Sequence, residues 1–85
     1  MKEYTVRVHD GGDKEWFING QLHREDGPAI EYADGTKHWF LDGQLHREDG
    51  PAFEHADGYK RWYLNGLCIT EEDFNKITKQ DLTLH

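Results

Sequence analysis

The sequence predicts a mainly β protein: an antiparallel meander of tandem 23-residue hairpin repeats, about six strands, closed by a short C-terminal α-helix. Three observations carry the prediction. Trp16, Trp39 and Trp62 recur at a step of 23 residues. An Asp-Gly pair stands between two strand-like runs in two successive units, "IEYADGTKHWF" and "FEHADGYKRWY". After Gly66 the repeat stops, and a helix-start sequence takes its place.

The repeat organises the chain. Phe17, Phe40 and Tyr63 keep the tryptophan step, as do Gly20, Gly43 and Gly66. The block "GQLHREDGPA" occurs unchanged at 20–29 and again at 43–52. Self-similarity of this kind marks an architecture in which each unit buries its apolar surface against the next. Eighty-five residues make one domain, 1–85, with repeat hairpins over about 4–66.

Each hairpin follows from its turn. Asp-Gly suits a two-residue type I′ turn, in which both central residues take positive φ. That turn at Asp34-Gly35 pairs Ile30 with Trp39 and Glu31 with His38. At Asp57-Gly58 it pairs Phe53 with Trp62 and Glu54 with Arg61. Apolar residues then face apolar ones, and opposite charges face each other. In the first hairpin "GGD" reads as a three-residue loop, pairing Val8 with Trp16, Val6 with Ile18 and His9 with Glu15. Strand alternation collects Val6, Val8, Trp16, Ile18, Ile30, Trp39, Leu41, Phe53, Trp62 and Leu64 on a core face. The other face receives Phe17, Phe40 and Tyr63 against Ala29 and Ala52, beside the charged pairs.

The repeated block lies between hairpins. Its "EDGP" reads as a turn: Gly27 and Gly50 permit positive φ, and Pro28 and Pro51 fix φ at the next strand. Leu22 and Leu45 anchor the loop, and its Arg and Asp are expected to tie one repeat to the next. Equivalent residues of successive repeats lie two strands apart, ~10 Å, so His23 and His46 are too distant to share a zinc ion.

The C-terminal segment "LCITEEDFNKITKQ" breaks the pattern. Thr70 followed by Asp73 reads as an N-cap, and Glu71, Glu72 and Asp73 suit the positive end of the helix dipole. Phe74 and Ile77 share a stripe. A helix is expected near 71–80, within a capping segment of about 70–82 that covers the last repeat.

Composition narrows the function. Seventeen acids against ten Lys and Arg give a formal charge of −7, which repels phosphate backbones and suits either a basic partner or simply a solvated acidic surface. Cys68 is the only cysteine, so no internal disulfide or Cys-based zinc site exists, and a buried structural thiol is expected. "MKEYTVRV" has no apolar signal core, and no apolar run approaches the ~20 residues of a membrane helix. A cytoplasmic, membrane-free location is the expectation. The chain has no Gly-rich phosphate loop. Repetition itself argues against catalysis, which needs one asymmetric constellation. Neither enzyme activity nor a cofactor or metal is expected.

Two functions remain: a protein-binding module, or a nucleic-acid binder with a local basic-aromatic patch. The candidate binding residues are Phe17, Lys37, His38, Phe40, Tyr59, Lys60, Arg61 and Tyr63, cations beside rings on which bases stack. A sheet with one helix leaves a face open, which predicts self-association to a dimer.

The stretch "WFLDGQLHREDGPAFEHADGYKRWYLNG" resembles the variant MORN-type repeat, with its recurring aromatic-x-Asn-Gly step. The "NG-x-LHREDGPA" wording is closer still to repeats of small tailed-bacteriophage proteins. The resemblance covers roughly 14–66 and lacks the dense Gly-x-Gly spacing of the standard MORN pattern. It implies consecutive antiparallel hairpins, no enzyme and no assigned functional residue. By analogy with antitoxin-like relatives, it implies a phage counter-defence inhibitor in the host cytoplasm. The target would be a host defence protein such as a basic nuclease toxin.

Overall fold

A computed structural model describes residues 3–83, with side chains described through Thr78. Ten short strands precede one helix. They are β1 (Thr5–Val8), β2 (Lys14–Ile18), β3 (Gln21–Leu22), β4 (Ile30–Glu31), β5 (Lys37–His38), β6 (Phe40–Leu41), β7 (Gln44–Leu45), β8 (Phe53–Glu54), β9 (Lys60–Leu64) and β10 (Leu67–Ile69). The helix α1 spans Glu71–Thr83. The main sheet runs β1-β2-β4-β5-β8-β9-β10, with β3 beside β2 and β6–β7 as a separate pair. Every pairing is antiparallel. The mainly β meander with a C-terminal helix is therefore the architecture the repeat predicts.

The strand count exceeds six because each repeat makes two hairpins. The first has a three-residue turn. Tyr32 N–H donates to Thr36 O at 2.9 Å, and Gly35 N–H donates to Tyr32 O at 2.9 Å. His55–Tyr59 and His9–Asp13 repeat that pattern. The third turn residue is left-handed in each case: Gly12 (φ 102°), Gly35 (97°) and Gly58 (98°). Asp34 Oδ1 also accepts the Thr36 N–H at 2.9 Å, closing an Asx turn. The second hairpin has the two-residue turn. Asn19-Gly20, Asp42-Gly43 and Asn65-Gly66 have paired positive φ of 52/79°, 51/79° and 51/82°. These are the type I′ positions.

The expected register is corrected accordingly. With Ala33, Asp34 and Gly35 all in the turn, Ile30 faces His38 and Glu31 faces Lys37. Phe53 faces Arg61 and Glu54 faces Lys60. Each pairing is displaced by one residue from the two-residue expectation, and a one-residue slip exchanges faces. Ile30 and Phe53 thus leave the tryptophan face. In the first hairpin the loop is Asp10–Gly12 instead of "GGD", so Val6 faces Trp16 and Val8 faces Lys14. That two-residue shift leaves the faces unchanged.

The molecule is a slab of 46 × 35 × 18 Å. Its accessible surface of 5948 Å² exceeds the ~5,200 Å² typical of a compact protein of this mass. Among the described residues the buried apolar set is only Ala29, Ile30, Ala52 and Phe74. The backbone N–H groups of Trp16 and Trp39 donate to the carbonyls of Ala29 and Ala52, at 2.8 and 2.7 Å from N to O. At the chain's end Asp73 N–H donates to Thr70 Oγ1 at 3.1 Å, the expected cap. Phe74 is buried and α1 packs on β9. No helix among the described residues is long and apolar enough to cross a membrane.

Candidate binding site

The two faces of the sheet do different work. On the tryptophan face the register sets Lys14 opposite Glu31, Glu31 opposite Lys37, Lys37 opposite Glu54 and Glu54 opposite Lys60. Charge alternates strand by strand, so Lys37 stands between two carboxylates and Lys14 and Lys60 each face one.

The repeated block folds over that face. The Arg24 guanidinium lies 4.0 Å from the Trp16 ring centroid, and Arg47 lies 3.8 Å from Trp39. Each Arg is held by a backbone carbonyl beyond the turn: Arg24 donates to Pro28 O at 3.2 Å, Arg47 to Pro51 O at 3.1 Å. Asp26 (3.2 Å) and Glu31 (3.4 Å) flank Arg24; Asp49 (2.8 Å) and Glu54 (3.6 Å) flank Arg47. The histidines reach forward. His23 Nδ1 accepts the Asp42 N–H at 2.9 Å, and His46 Nδ1 accepts the Asn65 N–H at 2.9 Å. Their other ring nitrogens meet Glu25 (3.2 Å) and Glu48 (3.3 Å). "HRED" is therefore an inter-repeat staple: Arg over the tryptophan, His to the next turn, acids beside both.

Gly27 and Gly50 serve that staple differently from expectation. Neither has positive φ. A Cβ on Gly27 would stand 2.9 Å from Arg24 Cζ, and one on Gly50 2.9 Å from Arg47 Cζ. Any side chain at either position would have to displace the guanidinium from its place on the tryptophan.

The opposite face carries an aromatic patch. Along one row Arg7, Glu15, Ile30, His38, Phe53 and Arg61 face one another in succession. His38 stacks on Phe53 at 4.4 Å between centroids and 26° between planes. Tyr32 meets His38 edge-on at 5.1 Å. His55 and Tyr59 approach Phe53 from the turn side, each at 6.3 Å. Tyr32 and Tyr59 are 36% and 51% exposed, so the patch opens to solvent. Arg61 closes the row, bonding the Tyr59 hydroxyl and donating to Cys68 Sγ at 3.5 Å.

Electrostatics follow from these contacts. Burial, and then the neighbouring His55, holds the His38 imidazole below its ordinary pKa. Its Nε2 is buried without a hydrogen-bond partner, which agrees with a neutral ring packed for its stacking surface. The bonds to Cys68 and Tyr59 raise the Arg61 pKa, fixing its charge. Burial, then Cys68, raises the Tyr63 phenol. Asp34 is lowered by the Thr36 N–H and hydroxyl, Asp57 chiefly by the Tyr59 N–H.

The expected basic-aromatic patch is therefore split. His38, Tyr59 and Arg61 share the aromatic face, with Tyr63 two residues along from Arg61. Lys37 and Lys60 project from the tryptophan face into the charge ladder. Phe17, Phe40 and Tyr63 are half-buried, because the second hairpins pair them with Leu22, Leu45 and Cys68. Cys68 is exposed, contrary to the buried thiol expected, because β10 is a sheet edge. Tyr32, Phe53 and His55 are the patch members that strand alternation assigned elsewhere or passed over. Placing them needs the three-residue turn.

No protein family, curated protein or solved structure matches the chain.

Proposed function

We propose that this protein is a non-enzymatic binder that neutralises a host defence protein, such as a basic nuclease toxin, through the aromatic face of its sheet. One observation carries the reading. Rings are gathered on the face from which Lys14, Lys37 and Lys60 all point away. Tyrosine, phenylalanine and a fixed arginine are the residue types that anchor protein interfaces. The acids of the neighbouring turns, Asp34 and Asp57, are exposed beside the patch and suit a positively charged partner. The net charge of −7 steers such a partner in. The phage-like wording of the repeat supplies the host-defence context.

Nucleic acid is disfavoured on the same face. Along its row the described arginines are Arg61 and Arg7, and Arg7 stands opposite Glu15, whereas phosphate recognition draws on several unopposed cations. The experiment is affinity capture from host cells, with nuclease treatment of the complex and Tyr59→Ser/Arg61→Ser as the comparison. The reading expects a nuclease whose activity falls as the protein is added, and whose capture the double substitution removes. RNA alone, or turnover of a substrate by the isolated chain, defeats it.

A further inference from the structure

The last repeat ends on an open strand edge. In the first repeat β2 has β1 along one side, while β3 and β4 share the other. β3 takes Phe17 and Ile18, and β4 takes Lys14 and Glu15. In the second repeat β8 pairs with Lys37 and His38, and β7 with Phe40 and Leu41. β9 is the equivalent strand of the third repeat. β10 takes Trp62, Tyr63 and Leu64, and β8 lies along the opposite side at Lys60 and Arg61. On the outer side of Lys60 and Arg61 no strand is paired among the described residues. The strand due there by the 23-residue step is Lys76–Ile77, and those residues lie in α1, with Ile77 beside Leu64 and Asn65 instead. A groove of about 460 Å³ runs along the open edge, bordered by Lys60, Arg61 and Trp62 of β9 and by Ile69, Glu71 and Asp73.

Backbone and charge both define what fits. His55 N–H donates to Tyr59 O at 2.8 Å. Hydrogen-bonded pairs alternate along an antiparallel ladder, so Lys60 turns its N–H and C=O away from β8, toward the open side. The two earlier repeats show what pairs there. Glu31 stands opposite Lys14 and Glu54 opposite Lys37, with Ile30 opposite Glu15 and Phe53 opposite His38. Both strands enter as Pro-Ala-apolar-Glu, and both alanines are fully buried. In the register Lys37 has a carboxylate on each side, whereas Lys60 faces Glu54 on one side only. A second copy of this chain does not fit. Its free edge is β1, where Arg7 and Val8 hold the repeat positions of Ile30 and Glu31. Docked in the same register, Arg7 would meet Arg61 and Val8 would meet Lys60, opposing two guanidiniums and supplying no carboxylate.

We propose that the Lys60–Arg61 edge of β9 takes an extended strand of a partner protein, paired antiparallel, with a carboxylate opposite Lys60 and an apolar side chain opposite Arg61. Main-chain bonds supply the affinity and alternate side chains supply the choice. The partner strand stands where β4 stands on β2 and β8 on β5, and completes the charge ladder at its open end. This site does not rest on the aromatic-face reading, because its contacts are the backbone and the ammonium of Lys60, which points from the tryptophan face.

The test titrates the full, isotope-labelled chain with three synthetic peptides, followed by amide NMR. The first spans residues 50–56 in the natural sequence, a copy of the strand that fills the equivalent place one repeat earlier. The second carries Glu54→Lys, and the third a methyl group on the Glu54 nitrogen. The natural peptide is expected to bind with amide shifts concentrated at Lys60, Arg61 and Trp62. Glu54→Lys weakens binding at least ~5-fold. N-methylation weakens it at least ~10-fold, since the nitrogen opposite Lys60 donates in the ladder. In the protein, Lys60→Glu inverts the preference between the first two peptides, and Lys14→Gln, at the equivalent position already filled by β4, leaves it unchanged. The peptide comparison on the natural chain stands whether or not the Lys60 variant folds. Tighter binding of the Lys peptide, which would make Glu71 and Asp73 the recognising charges, overturns the proposal. So do equal binding of the N-methyl peptide, shifts centred on Thr5–Val8, or no binding of the natural peptide at ~5 mM.

Discussion

Replacing Arg47 by alanine is expected to remove about 2–3 kcal/mol of stability. The magnitude comes from three contacts of a side chain only 19% exposed. The guanidinium over Trp39, at 3.8 Å, contributes about 1 kcal/mol, and more as it is desolvated. Its hydrogen bond to Pro51 O, at 3.1 Å, adds about 1–1.5 kcal/mol because the donor is charged. The ion pair with Asp49 adds little, since that carboxylate is 84% exposed and screened by water. Urea unfolding, followed by tryptophan fluorescence, reads the sum. With a slope near ~1 kcal/mol per M for so short a chain, the midpoint falls by roughly 2–3 M. Arg47→Lys separates charge from geometry. Lysine keeps the charge but neither stacks as a plane nor reaches two acceptors at once, so it recovers less than half of the loss. A loss under ~0.5 kcal/mol for Arg47→Ala, or a Lys variant equal to the natural protein, refutes the staple.

Gly50→Ala should destabilise by about 1 kcal/mol or more in the same assay, since the new Cβ displaces the pinned guanidinium. Gly11→Ala, with open space and no positive φ, should change stability by less than ~0.5 kcal/mol; equal effects at the two sites contradict the close-approach account. His38 gives a pH dependence. Its folded pKa lies below the unfolded value near 6.5, so the unfolded chain takes up the proton first. Its contribution is complete above about pH 6.5 and is lost as pH falls through the folded pKa. His38→Phe, which also removes the unpartnered Nε2, should flatten that part of a stability profile between pH 7.5 and 5; an unchanged slope sinks the assignment. The exposed patch is also expected to drive dimerisation at high micromolar concentration. Light scattering should show a dimer mass that Tyr59→Ser returns to monomer, and a natural protein already monomeric there contradicts it.

Most of the architecture is legible in the spacing of Trp16, Trp39 and Trp62, because a fixed period forces equivalent hairpins. The helix is legible in Thr70 and Asp73, whose capping bond is local. Register is less so. Each repeat holds two X-Gly turns, and both Asp34-Gly35 and Asp42-Gly43 carry type I′ chemistry by composition. The difference lies in pairing: the Asp34 side chain bonds the Thr36 N–H, drawing Ala33 into a three-residue turn. That one residue moves Ile30 and Phe53 to the other face, while strand alternation by itself parts Lys37 and Lys60 from His38 and Arg61 in either register. Gly27 and Gly50 invite an explanation through φ because they stand at a turn, whereas the neighbour that crowds them, the guanidinium three residues earlier, is visible only in three dimensions.

The central claim is that one face of the sheet is committed to stapling the repeats while the aromatic face meets the partner. Hydrogen exchange on the complex captured with its partner tests this most directly. The account predicts new protection over 30–38 and 53–61, the strands and turns that carry Tyr32, His38, Phe53, His55, Tyr59 and Arg61. A partner bound tightly while both segments exchange as in the free protein contradicts it.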